Sequence, residues 1–192
     1  MADPIDHLST VGRIAEQLRD AGLSPVLVGG MALIVLGSRR VTHGFDFVVP
    51  PPDGRLSRMV DVMYEHGLEL AARVDEHGNI TATIDNRKAA AGRLRIDAPK
   101  SAYFFNADTG LRIDLLFDFP IAAAALLEHA SRIRIRGHRF DIASEEDLLL
   151  LKTIARAERS APADAEDIAF LEARRKRVRQ VRAVQRPLSP LH

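Results

Sequence analysis

The chain has 192 residues, 46% apolar and 28% charged, a balance that excludes a disordered protein and suits one folded domain, or one domain with a small helical appendage. It contains no cysteine, which excludes disulfides, thiolate metal sites and a cysteine nucleophile. The net charge of +1 excludes strong nucleic-acid attraction by the chain as a whole, yet seven basic residues and no acid lie between Arg174 and Arg186.

Residues 1–10 are polar and acidic, without the basic start and apolar run of a signal peptide. No apolar stretch approaches the roughly 20 residues of a membrane helix. A soluble, cytoplasmic protein without a membrane partner is expected, and the missing cysteines agree with a reducing compartment.

In chain order, Leu8, Val11, Ile14, Ala15 and Leu18 recur at helical spacing over residues 5–21, and Gly22 is a natural stop. Residues 25–28 read as a short buried strand, followed at once by Gly29-Gly30 and a helix over 31–36. Residues 45–49 form a second strand, closed by three prolines. Leu56, Met59, Val60 and Met63 mark an amphipathic helix over 55–66. The stretch 70–100 mixes strand-like pieces with turn signals, and its register stays open. Residues 102–107 and 111–117 read as strands joined at Asp108-Thr109-Gly110. A second hairpin pairs 132–136 with 139–142 around Gly137-His138. Ser144 and the acids behind it open a helix to residue 157. Pro162 interrupts it, and another helix begins at 163. This order predicts an α/β (α+β) fold, with a core over 1–143 and C-terminal helices with a basic tail over 144–192.

Three pieces point to chemistry. Gly29-Gly30 between strand and helix lets the backbone approach a ligand closely, in a setting that suits phosphate. A Gly-Gly pair before a helix is more often a tight turn, and the endings of a P-loop or dinucleotide fingerprint are missing. On the strand at 45–49, positions 44 and 46 face the same way. Two carboxylates there would bind Mg²⁺, but position 44 is glycine and position 46 is Asp. Asp114 lies among Ile113, Leu115 and Phe117, where an acid needs a cation, either a metal or an arginine such as Arg112.

Together, Gly29-Gly30, Arg40-Val41-Thr42, Gly44-Phe45-Asp46 and Asp114 resemble the polymerase-β-like nucleotidyltransferase superfamily, over roughly residues 26–171. Ser144-Glu145-Glu146-Asp147-Leu148, with Lys152, Arg156, Arg159 and Asp167, resembles the C-terminal helices of the AbiE-type and MenT-type toxin branch. The resemblance implies a nucleotidyltransferase-like mixed sheet flanked by helices. It implies that Gly29, Gly30, Arg40, Thr42 and Lys152 contact an NTP. It implies that Asp46 and Asp114 bind Mg²⁺, with Asp114 also suited to activating an acceptor hydroxyl. NMP would pass to an RNA (tRNA) or protein hydroxyl, and an antitoxin would be the partner.

Gly44 departs from the family, which would place its first aspartate there. Three readings follow: a degenerate member that binds nucleotide without transfer, an inactivating substitution, or another acid, Asp164 or Asp167, moving in. On the sequence alone, Gly44→Asp is expected to raise transfer. The alternative to an enzyme is an inactive nucleotide- or RNA-binding module that uses the basic tail.

Overall fold

The computed structural model describes residues 7–42 and 44–184, which fall into two compact units, Met1–Ser144 and Glu145–His192. His43 of the arginine-threonine run and Arg186 of the basic tail lie outside the described residues.

The first unit begins with α1 (Leu8–Asp20), whose buried stripe contains Leu8, Val11, Ile14, Ala15 and Leu18, as the spacing predicts. Its end is closed by paired backbone bonds, Leu23 N–H to Leu18 O at 2.8 Å and Gly22 N–H to Arg19 O at 2.9 Å. Then come β1 (Val26–Val28), α2 (Gly29–Val35), β2 (Phe45–Val49), a 3₁₀ turn (Asp53–Arg55) and α3 (Leu56–Glu65). The α2 helix starts at Gly29 itself, so both glycines belong to its first turn and do not precede it.

The open stretch resolves into β3 (Glu69–Val74), β4 (Ile80–Ile84) and α4 (Arg87–Asp97). The Asn86 side chain caps α4 by accepting from Ala89 N–H at 3.0 Å. The predicted hairpin is β5 (Ser101–Phe105) and β6 (Arg112–Phe117). The alanine-rich stretch 122–125 leads into a short helix, α5 (Ala123–His129), and the last hairpin is β7 (Ser131–Ile135) and β8 (His138–Ile142).

All eight strands join one mixed sheet in the order β4-β3-β5-β6-β2-β1-β8-β7. Its centre decides where the site lies. β2 runs parallel to β6 and antiparallel to β1, which sets Asp46 beside both Asp114 and Val28. One face of this centre is apolar and buried, with Phe45, Phe47, Ile113 and Leu115 each no more than 1% exposed. Burying these four large side chains contributes roughly 1.5–3 kcal/mol each. Because side chains alternate, the same pairing pushes Asp46 and Asp114 together onto the opposite face.

The second unit is a pair of helices, α6 (Glu145–Glu158) and α7 (Pro162–Val184). Pro162 occupies the first helical position, where its missing N–H costs nothing. Leu148 and Leu171 are buried. Lys152, Asp164 and Asp167 are buried with them: the Lys152 ammonium lies 2.8 Å from Asp167 Oδ2 and 3.4 Å from Asp164 Oδ1. Arg159 also donates to Asp164, at 3.0 and 3.3 Å. Arg174 pairs with Glu145 at 2.8 Å. From Lys176 to Val184 every residue of α7 is exposed. Among the described residues, no helix is long and apolar enough to cross a membrane.

Candidate functional site

The glycine turn lies against the acidic strand. Gly29 has φ +68°, and a Cβ there would sit 2.1 Å from Asp46 Oδ2. A Cβ on Gly30 would meet Thr42 Oγ1 at 2.9 Å and the Arg40 guanidinium carbon at 3.2 Å. The two glycines are therefore what permits Asp46, Thr42 and Arg40 to close on the start of α2. Thr42 in turn donates its hydroxyl to Gly44 O at 3.5 Å.

Asp46 and Asp114 occupy one cleft of about 210 Å³, lined also by Arg40, Thr42, Gly44 and Arg112. Six of the seven residues singled out from the sequence thus converge: Gly29, Gly30, Arg40, Thr42, Asp46 and Asp114. The seventh, Lys152, belongs to the second unit and is engaged there by two carboxylates. A larger, mostly apolar cavity of about 400 Å³ opens between Pro51, Leu56, Leu94, Lys100 and Phe117, and carries none of the seven.

Arg112 dominates the electrostatics. Its Nε donates to Asp114 Oδ1 at 2.8 Å and its Nη2 to Oδ2 at 3.0 Å, a bidentate pair. Its Nη1 donates to Gly78 O at 2.9 Å, in the turn between β3 and β4. The guanidinium also lies over the Tyr103 ring, 4.9 Å from its centroid. Burial pushes the Asp114 carboxyl above the ordinary carboxylate range, and the pairing with Arg112 and a hydrogen bond with Asp46 offset this in part. Burial works against the charge of Arg112, but Asp114 and Asp46 overcome it and hold the guanidinium pKa above its usual value.

The sequence presents Arg112 merely as a salt-bridge partner for Asp114. Its further contacts come from Gly78 and Tyr103, on other strands and turns. The period-two spacing of Arg112 and Asp114 puts them on one face, but cross-strand neighbours are not encoded locally.

Position 44 carries a correction. A Cβ on Gly44 would lie 2.7 Å from the Arg112 carbonyl oxygen and 3.1 Å from Arg112 Cβ. The first of these is backbone, so β2 and β6 must part to admit any side chain. Gly44→Asp is therefore expected to destabilise the fold by about 1–3 kcal/mol and not to rebuild a carboxylate pair. Thermal unfolding of the variant, with and without magnesium, measures this.

The donor set also fits a divalent cation poorly. Asp46 has no acidic companion at 44, and both oxygens of Asp114 face the Arg112 guanidinium. Asp164 and Asp167, the acids considered as replacements, are engaged by Lys152 within the second unit. Among the described residues, no group of three His, Asp or Glu is placed to hold a metal ion.

The mixed sheet with its helices has a nucleotidyltransferase fold, as its likeness to solved structures shows. The chain is similar to the lincosamide antibiotic adenylyltransferase LnuA in its lincomycin-bound form, with TM-score 0.53 and 12% identity over 85% of this chain and 95% of that one. It is similar to ANT(2")-Ia in complex with adenylyl-2"-tobramycin, with TM-score 0.54 and 15% identity over 93% and 96% of the two chains. It is also similar to an antigenic nucleotidyltransferase-like protein from Paracoccidioides brasiliensis, with TM-score 0.55 and 16% identity over 86% and 75%. At such identities the likeness establishes the fold. No protein-family model matches the chain, and no curated protein sequence matches it.

Proposed function

We propose that this protein binds a nucleoside triphosphate in the cleft that Asp46, Asp114, Arg112, Arg40 and Thr42 line beside the glycine turn, and that it descends from enzymes that transfer NMP while transferring little or none itself. The convergence of Gly29 and Gly30 on Asp46, beside Asp114, carries this reading. The bare backbone of the turn lets Asp46, Thr42 and Arg40 close on the start of α2, and Arg40 and Thr42 offer donors in the cleft beside it.

Weak or absent transfer follows from the donor set. In-line phosphoryl transfer with two metals relies on carboxylates that clamp the attacking and leaving oxygens. Here Gly44 supplies none, and Asp114 is held by an arginine. The Mg²⁺ that the resemblance implies has a poor ligand set in this chain.

The proposal extends to descent from the toxin branch, with an RNA (tRNA) or protein hydroxyl as the ancestral acceptor, and to an antitoxin partner and a cytoplasmic setting. It is supported there by the resemblance of residues 144–167. A second reading, an RNA-binding module, is favoured by the run of exposed basic residues on α7 from Lys176 to Arg182.

Thermal unfolding in the presence of each of the four NTPs tests the proposal. A ligand that binds the native state alone stabilises it by about 2.7 kcal/mol at a hundredfold excess over Kd, a shift of roughly 5–11 °C. At least one NTP is expected to raise the melting temperature, while α-phosphate-labelled NTPs leave RNA and protein acceptors essentially unlabelled. If no NTP shifts the transition, the nucleotide reading is wrong.

A further inference from the structure

We infer that Arg112 is the resident cation of this cleft and takes nucleotide phosphate directly, so that binding needs no divalent metal. The inference rests on the nucleotide reading above and specifies how the site achieves it.

Two carboxylates on neighbouring strands, Asp46 and Asp114, create a demand for positive charge. The Arg112 fork meets it by facing both oxygens of Asp114, at 2.8 and 3.0 Å. A planar guanidinium matches a carboxylate on one side and a phosphate on another, which an ammonium does less well.

The side chain is also fixed before any ligand arrives. Asp114 on its own strand, Gly78 O in a turn and the Tyr103 ring on β5 hold it from three elements. A donor so held loses little further freedom when it meets an anion. It has donors to spare as well. A guanidinium carries five N–H groups, and the three bonds to Asp114 and Gly78 use one each. Two remain on a side chain that lines the cleft and is 25% exposed.

Finally, position 44 supplies no competing carboxylate. The absence of a side chain there lets the β6 backbone at Arg112 come within 2.7 Å of where a Cβ would stand, so any side chain at 44 and the present closeness of β6 exclude one another. A cleft charged this way also separates binding from turnover. A guanidinium neutralises phosphate, but it does not polarise an acceptor hydroxyl as a Lewis acid would.

Isothermal titration of the full chain with ATP, GTP, CTP and UTP, in excess EDTA and in excess MgCl₂, tests the inference. Wild type is expected to bind at least one NTP with Kd values in the two buffers within about twofold of each other. Arg112→Ala is expected to weaken that binding at least about tenfold in both buffers, with Arg112→Lys intermediate. Binding that requires MgCl₂ overturns the inference and leaves the nucleotide reading standing. Wild-type affinity in Arg112→Ala also overturns it. No binding in either buffer removes the nucleotide reading and this inference together. If Arg112→Ala fails to fold by circular dichroism, the wild-type comparison between EDTA and MgCl₂ and the Arg112→Lys titration take its place: metal-independent binding weakened in Arg112→Lys supports the inference, and wild-type affinity in Arg112→Lys overturns it.

Discussion

Gly29→Ala is expected to lower unfolding stability by roughly 2–5 kcal/mol and to abolish nucleotide binding. Two costs combine. The residue has φ +68°, a region that charges an L side chain about 1–2 kcal/mol. Its Cβ would also stand 2.1 Å from Asp46 Oδ2 and 2.9 Å from Asp46 Cγ. The carboxylate must move off the turn, or the turn must leave β2, and such overpacking costs about 1–3 kcal/mol more. Gly137→Ala isolates the first cost, because Gly137 has φ +81° and nothing beyond its chain neighbours within 4 Å of its Cβ position. Urea unfolding of both variants is expected to show Gly29→Ala as the more damaging. Equal midpoints would mean that the turn does not press on Asp46.

Lys152→Ala is expected to destabilise the helix pair by at most about 3–5 kcal/mol, because it removes the ammonium now 2.8 Å from the buried Asp167 carboxylate and 3.4 Å from that of Asp164. Asp164 keeps its bonds from Arg159. Burial works to raise the Asp164 pKa, but Arg159 and Lys152 overcome this and hold it below the ordinary carboxylate range. Its stabilising contribution is therefore complete above the unfolded-state pKa and fades as the pH falls through the lower, folded value. Denaturant unfolding near neutral pH checks the variant. A midpoint like wild type, together with lost NTP binding, would mean that Lys152 serves the ligand instead of the helix pair.

The parts of the fold that are legible in the sequence are those whose side-chain period survives intact. Leu8 to Leu18 and Leu56 to Met63 print one buried stripe each, and Val26-Leu27-Val28 is buried throughout. The residues of α4 do not do this: Ala90, Ala91 and Leu94 alone are buried in its 11 residues, too small a stripe to read among arginines. β3 is buried near its start and exposed over its last three residues, so its alternation fades midway. The site follows the same division. Gly29, Gly30, Asp46 and Asp114 are recognisable because their spacing is local or motif-like. The clash at Gly44 and the bond from Arg112 to Gly78 arise from contacts across tens of residues, while Tyr103 meets Arg112 across the β5–β6 hairpin, where spacing alone does not show which rings and cations stack.

The most direct test is an amide NMR titration of the isotope-labelled full chain with ATP and, where ATP is silent, the other three NTPs. The backbone signals of Gly29, Gly30, Thr42 and Asp46, and the side-chain Nε–H of Arg112, are expected to move together with one affinity. Shifts confined to the residues around Pro51, Leu56 and Lys100, or the absence of any shift near Gly29, would contradict the assignment of this cleft to phosphate.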